Sequence, residues 1–387
     1  MRGSVVKRGA SYSVVVELDR DPATGKRRQK WHSGYRTRRD AERALAEMVD
    51  AVNRGSYVPK TRQTVGEFAT EWLAAIEPTV RPATLDRYSR NLRLHVLPYI
   101  GTAALSAVDA GTLNTLYAAL LSSGRKNHAG GGLTPRSVHH VHAVVHRMLR
   151  DAVRWGRLAR NVADVADPPS QAGKHAEMTT WTAEETARFV AGTREDRLAA
   201  AYLMLATTGA RRGEVLGLRW SDVDLETGRA AIRQTVIMVG HQAQVGQPKT
   251  TASRRSLDLD AATVAALRDH RKRQAGERLL MGAGWKDHGL VFCRVDGGLL
   301  HPEQFSATFA RRVRQLGLRP IRLHDLRHGW ATLALAAGEH PKVVQERLGH
   351  ANISITLDTY SHVTASLHRQ AAERVAALIF GGGGTVG

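Results

Sequence analysis

The run Ala166-Asp167-Pro168-Pro169-Ser170-Gln171-Ala172-Gly173 constrains this chain more than any other segment. Two adjacent prolines remove two backbone donors and hold the residue before them out of the helical region, and the small, polar residues around them offer no face to bury. Residues 167–175 therefore read as an interdomain linker. The 387 residues should fold as two or three separate cores rather than one.

Upstream of the linker, residues 61–166 carry helical signals only. Pro82 and Thr84 introduce one helix, Asp109 caps a second, and Thr134-Pro135 starts a long third. In the third, Val138, Val141, Val145 and Met148 form the buried stripe, while His139, His142, His146 and Arg150 follow the same period on another face. His142 and His146 sit one turn apart, as metal ligands could. No carboxylate or third ligand is evident nearby, so a polar, partly basic face toward DNA or solvent is the stronger reading. Gly124 to Gly132 reads as a loop.

Residues 1–60 form a different pattern. Ser4–Lys7, Tyr12–Asp19 and Lys26–Ser33 read as three short strands, with a turn at Asp21–Gly25, and a helix follows from the Thr37 cap to Gly55. Ala41, Leu45, Met48 and Val52 give that helix one apolar face. Lys26, Arg27, Arg28 and Lys30 crowd the third strand. Either they protect a solvated edge, or they belong to a small sheet laid against DNA. Residues 176–380 are mixed: helical patterns flank a stretch from Gly228 to Leu259 that suggests a small antiparallel sheet, and a glycine run leaves 381–387 as a flexible tail. The expected fold is thus multidomain and mainly α, with small antiparallel β-sheets.

Charge narrows the partners. Lys+Arg number 56 against 36 Asp+Glu, a formal net charge of +20. Such an excess draws polyanions, because neutralising phosphates releases condensed counterions. No stretch approaches the ~18 uninterrupted apolar residues of a membrane span, and the basic start leads into no apolar signal region. Cys293 is the single cysteine. That excludes an internal disulfide and a cysteine-based zinc cage, and points to a reducing, cytoplasmic setting in association with DNA.

Four separated motifs occupy the last segment: TTGARRGEVLGLRWSDVD from Thr207 to Asp224, PKTTASRRSLDL from Pro248 to Leu259, HDLRHGWATLAL from His324 to Leu335, and LGHANISITLDTYSHV from Leu348 to Val363. In this order they resemble the tyrosine recombinase family, specifically its phage and mobile-element integrases. The upstream segments look like that family's arm-binding and helical core-binding domains, and 176–380 like its mixed α+β catalytic domain.

The resemblance implies roles for individual residues. Arg211 and Arg327 would grip the non-bridging oxygens of a scissile phosphate, and Glu214 would orient Arg211. Arg212 is the ambiguous neighbour, but spacing to Gly209 and Glu214 favours Arg211. Lys249, on a hairpin turn, would protonate the leaving 5′ oxygen. His324 and His350 would complete the pocket, and Tyr360 would attack, forming a 3′-phosphotyrosine. Arg254 and Arg255 would contact phosphate or solvent, and Asp325 would be a local hydrogen-bonding residue. The chemistry is coherent. Two guanidiniums never deprotonate and bind oxygen pairs, a phenol of pKa ~10 needs a base, and histidine supplies one near neutrality. With charge supplied by side chains, no metal or other cofactor is expected.

The implied partners are double-stranded attachment sites and three further copies of the chain, which exchange strands through a Holliday junction. A DNA-bending protein and an excision directionality factor would assist, and the bacterial host's chromosome would be the target. Two rivals share parts of the pattern. A type IB topoisomerase-like enzyme would use the same chemistry, though the arm-like first domain and the spacing from Leu-Gly-His to Tyr360 oppose it. A repressor on a dead recombinase scaffold would lack the complete residue set. A last feature, the stripe Leu367, Ala371, Val375 and Leu378 extended by Ile379-Phe380, either docks on its own core or packs into a neighbouring copy.

Overall fold

The computed structural model describes residues 3–18, 24–53, 58, 62–126, 130–170, 179–247, 254–350 and 352–359, and positions 372, 375–376 and 379–380. Asp21–Ala23, Gly55, most of the expected linker, Lys249, Tyr360, the stripe residues Leu367, Ala371 and Leu378, and the glycine tail lie outside them. The chain divides into two compact units, Met1–Gly173 and Lys174–Gly387. Among the described residues no helix is long and apolar enough to cross a membrane.

The first unit holds two separate hydrophobic cores. Strands β1 (Gly3–Arg8), β2 (Ser11–Leu18) and β3 (Arg28–Tyr35) form an antiparallel sheet in that order, followed by helix α1 (Arg38–Asn53). Thr37 caps α1: its hydroxyl accepts the Asp40 N–H at 3.1 Å and donates to the Asp40 carboxylate at 2.7 Å. Val14 and Val16 point to the α1 side, where Ala41, Leu45, Met48 and Val52 cover them.

Strand register corrects the reading of the basic cluster. Lys26 and Arg27 lie in the connection before β3, which starts two residues later than expected. Lys30 pairs with Val16, so it leaves the sheet on the side that carries α1. The opposite face carries Gln29 and Trp31 beside the buried Ser13 and Val15, with Trp31 43% exposed and the Arg8 guanidinium 4.5 Å from its ring centroid.

The second core of this unit is helical: α2 (Val65–Ile76), α3 (Pro82–Asn91), α4 (Leu97–Ile100), α5 (Ala110–Ser123) and α6 (Pro135–Arg154). Thr64 and Glu67 make a reciprocal capping box at α2, and Asp109 and Thr134 cap α5 and α6. Between α3 and α4, Leu92–Val96 widens into a π turn. Pro98 explains it, because its ring would clash with the carbonyl a turn earlier in an unbroken helix. The α6 stripe is fully buried. Buried Trp72 donates its indole N–H to the buried Asp151 carboxylate at 2.9 Å, an internal partner for each.

His142 and His146 are both half-buried and each has a partner within the unit. The His142 Nδ1 lies 2.7 Å from the Tyr117 hydroxyl, and the His146 Nε2 lies 2.7 Å from Asp164, a carboxylate 18 residues away in the chain. Among the described residues no group of three metal-ligating side chains forms. Arg150 is exposed. The start of the expected linker is tied down, with Asp167 bonded to Asn114 of α5 through both its backbone N–H and its carboxylate.

The second unit begins with α7 (Ala183–Gly192) and α8 (Ala199–Thr208). α8 is apolar nearly all round, as a central helix should be, with Ala200, Ala201, Tyr202, Met204 and Leu205 buried. The short α9 (Arg212–Leu216) follows, then β4 (Val223–Asp224), β5 (Arg229–Ile232), the hairpin β6 (Thr235–Val239) and β7 (Gln242–Gly246), and β8 (Arg255–Asp258). β4, β5 and β8 make one antiparallel sheet, and the hairpin is separate. Helices α10 (Ala261–Met281), α11 (Pro302–Gln315), α12 (Asp325–Ala336), α13 (Pro341–Leu348) and α14 (Ile353–Thr359) complete the unit.

Candidate active site

The first element of the site is the exit from α8. Gly209 takes φ +64°, the left-handed conformation that lets a helix stop within one residue. It is also crowded: a Cβ there would lie 2.8 Å from Leu348 Cδ2 and 2.9 Å from the Trp330 ring. The turn delivers Arg211 to the start of α9. One helical turn later, Glu214 accepts the Arg211 backbone N–H at 2.8 Å and its Nη1 at 2.8 Å, fixing main chain and side chain together.

The second element is the start of α12. Arg327 is buried, and its fork donates Nη1 to the Gly209 carbonyl at 2.8 Å and Nη2 to the Leu348 carbonyl at 2.7 Å. His324 precedes the helix, with its ring edge-on to His328 at 5.1 Å between centroids. Asp325 is buried and accepts both the backbone and the guanidinium of Arg322, a local clamp.

These parts converge on the C-terminal turn of α13. Four successive carbonyls there are each held by a side chain. Arg255 Nε donates to Arg347 O at 2.6 Å, Arg327 to Leu348 O, Arg211 Nη2 to Gly349 O at 3.1 Å, and Gln345 to His350 O at 2.8 Å. A helix leaves its last carbonyls unpaired and carries partial negative charge at that end. Three guanidiniums satisfy both. His350 then turns its Nδ1 to the buried Thr356 hydroxyl of α14, 2.9 Å away.

Burial first, and then the cationic surroundings, set the protonation states. His324 keeps an exposed edge, yet the desolvation of its protein side, then His328 and Arg327, push it down to about 4 despite Asp325. His350 is pushed down to about 4 first by burial and then by Arg327 and Arg211. Both imidazoles are therefore neutral near pH 7 and able to accept a proton. Burial works against the Glu214 charge, but Arg255 and then Arg211 outweigh it and hold the carboxyl below its ordinary range.

Of the six expected catalytic residues, Arg211, His324, Arg327 and His350 come together from three separate motifs; Lys249 and Tyr360 lie outside the described residues. Arg255 is a correction. Its fork is not open to solvent: the side chain is 8% exposed and both terminal nitrogens are spent on Glu214. Strand alternation carried the signal, since Arg255 shares a face with buried Leu257 while Arg254 and Ser256 are exposed. Arg254, bonded to Gln247, lines an open cleft of about 610 Å³ with Arg219, Arg233 and Arg255. Thr356, four residues before Tyr360 in the sequence, is a further residue of the site that the motifs do not single out.

Comparison with known proteins gives the class of enzyme to which this fold and pocket belong, one that breaks and rejoins DNA strands. The phage integrase family matches residues 180–366, the arm DNA-binding domain residues 4–52, and the N-terminal SAM-like domain of phage integrases residues 64–117. A "Tyrosine recombinase XerC-like" protein of Caldanaerobacter subterraneus subsp. tengcongensis is 26% identical, over 95% of this chain and 96% of its own. The fold is shared with the Tn1549 transposon integrase in complex with transposon right end DNA, at TM-score 0.65 and 20% identity, covering 81% of this chain and all of that one. It is also shared with a lambda integrase tetramer bound to a Holliday junction, at TM-score 0.54 and 16% identity over 90% and 95%. Residues 180–366 carry the phage integrase family domain, and the chain is a tyrosine-type site-specific recombinase.

Proposed function

We propose that this recombinase integrates and excises a mobile element through a 3′-phosphotyrosine. Arg211 and Arg327 neutralise the non-bridging oxygens of the scissile phosphate. The Tyr360 hydroxyl attacks phosphorus as its proton passes to His324, and the bond to the 5′ oxygen breaks as Lys249 donates a proton to it. His350 completes the contacts to the phosphoryl group. The bond energy stays in the phosphotyrosine, so the reverse attack by a 5′ hydroxyl rejoins strands without ATP. The observation that carries this reading is the convergence of two arginines and two neutral histidines at the end of α13, with His350 ten residues before Tyr360 in the sequence.

By analogy with the lambda integrase tetramer on a Holliday junction, four copies synapse two duplexes and exchange strands in pairs. Residues 1–60, 61–166 and 176–380 act as arm-binding, core-binding and catalytic domains, and Lys26, Arg27, Arg150 and Arg254 supply phosphate contacts. A DNA-bending protein and a directionality factor complete the assembly in the bacterial host. The test is incubation with nicked DNA from the element's own junction. Wild type should yield a covalent adduct on Tyr360, while Tyr360→Phe binds the same DNA and yields none. An adduct in that variant, mapped to another tyrosine, overturns the assignment.

A further inference from the structure

The carboxylate that orients Arg211 poses an electrostatic problem. Glu214 beside Arg211 alone makes a neutral pair, and a neutral pair attracts a phosphodiester weakly. The structure contains the remedy. Each Glu214 oxygen is shared between two arginines: Oε1 accepts Arg211 Nη1 at 2.8 Å and Arg255 Nη1 at 3.0 Å, and Oε2 accepts the Arg211 N–H at 2.8 Å and Arg255 Nη2 at 2.9 Å. Two guanidiniums around one carboxylate leave a net charge of one cation. The side chains of Glu214 and Arg255 are 4% and 8% exposed, whereas that of Arg211 is 36% exposed. The buried pair balances itself, and the uncompensated charge sits on the member that reaches the pocket.

Resting on the reading of Arg211 as a phosphate ligand, we propose that Arg255 is a positioning residue for strand cleavage. It is the internal counter-ion that absorbs the Glu214 charge and keeps Arg211 cationic toward the scissile phosphate. Its third bond, to the Arg347 carbonyl, also fixes the α13 turn on which Arg211 and Arg327 rest. Arg255 spends its fork on Glu214 and does not touch DNA. This arrangement fits the low dielectric of the site, where a fixed charge acts strongly and the balance between neighbouring charges decides its effect.

The test uses the full chain and nicked junction DNA, once with an ordinary scissile phosphate and once with an uncharged methylphosphonate at that position. Arg255→Met returns the Glu214 charge to Arg211, so adduct formation on the phosphate should fall by about 10² to 10³, the usual loss when a charge-stabilising donor is removed. On the methylphosphonate, which has no charge to neutralise, the gap to wild type should narrow to within about tenfold. The double variant Glu214→Gln/Arg255→Met removes both charges and should recover most of the rate lost by Arg255→Met. Arg255→Lys keeps the cation and should retain more activity than Arg255→Met; this comparison, with the double variant, stands if the single Met variant fails to fold. A merely structural Arg255 predicts the reverse. The double variant would then be no better than the single one, and both substrates would suffer equally; either result overturns the proposal. Arg211→Ala on the same substrates separates the two levels. If it too shows no narrowing on the methylphosphonate, the phosphate-gripping reading itself fails.

Discussion

Gly209 links the fold to the chemistry, and Gly209→Ala should damage both by amounts the structure sets. Alanine at φ +64° costs about 1–2 kcal/mol, because its Cβ approaches the following carbonyl. The same Cβ would meet Leu348 Cδ2 at 2.8 Å and Trp330 at 2.9 and 3.1 Å. The leucine tip can give way, but Trp330 is a rigid ring with the Arg347 guanidinium 5.2 Å from its centroid. Overpacking of this kind costs about 1–3 kcal/mol more. The total expected loss is about 2–5 kcal/mol. Gly317, just past the end of α11, is the matched control: φ is +59° and nothing lies within 4 Å of an added Cβ. Gly317→Ala should therefore show the backbone cost alone, about 1–2 kcal/mol. Hydrogen exchange of peptides from residues 179–350 of the full chain, across a urea series, measures both. Because the Gly209 carbonyl also holds Arg327, Gly209→Ala should slow adduct formation under conditions where it is still folded, and Gly317→Ala should not. Equal destabilisation by the two substitutions would refute the crowding argument. Full cleavage activity in folded Gly209→Ala would refute the link to Arg327.

In the DNA-free protein, the ring resonances of His324 and His350, assigned through His324→Gln and His350→Gln, should titrate near 4 rather than 6.5. Because these folded values lie below the unfolded one, the stability they contribute is complete above pH 6.5 and drains as pH falls toward 4; midpoints at 6.5 would show that neither burial nor the neighbouring cations act on the rings. Removing residues 1–60 should spare adduct formation on short core-site DNA and abolish recombination of a full attachment site. Within that segment Trp31→Ala should weaken arm-site binding more than Lys30→Ala, and the opposite order would mean that the α1 side of the sheet, not the face that carries Trp31, meets DNA.

Much of this architecture is legible in the sequence where one physical rule dominates locally. The α6 stripe follows from period alone, and the caps at Thr37, Asp109 and Thr134 follow from side chains that offer an oxygen just ahead of an apolar run. The boundary of β3 was misplaced because Lys26 and Arg27 belong to a connection whose length only strand pairing sets. The partners of His142 and His146 were hidden for a related reason: Tyr117 and Asp164 reach them from other elements. Arg255 shows a different failure. Two adjacent arginines read as one basic patch, yet a strand sends neighbours to opposite faces, so Arg254 and Arg255 serve unrelated ends.

The least legible feature is also the one that organises the site. Three arginines from the start of α9, from β8 and from α12 end on consecutive carbonyls of one helix terminus, 347 to 349. No motif records this, because the acceptors are main-chain atoms and any residue type supplies them. The arrangement nevertheless explains why the Leu-Gly-His motif accompanies the arginines. Gly349, at φ +64°, ends α13 so that its last carbonyls turn toward the guanidiniums. A cluster of cations would repel itself apart in the absence of DNA; partial negative charge at a helix end holds it in place without neutralising it. Carbonyls bind a guanidinium more weakly than an anionic oxygen does. A phosphate arriving at the exposed Arg211 could therefore displace the Gly349 contact while Glu214 and Arg255 keep the side chain oriented. His350 follows directly on that turn and is tied through Thr356 to α14, so the element that leads to Tyr360 is referenced to the same carbonyls that position the arginines.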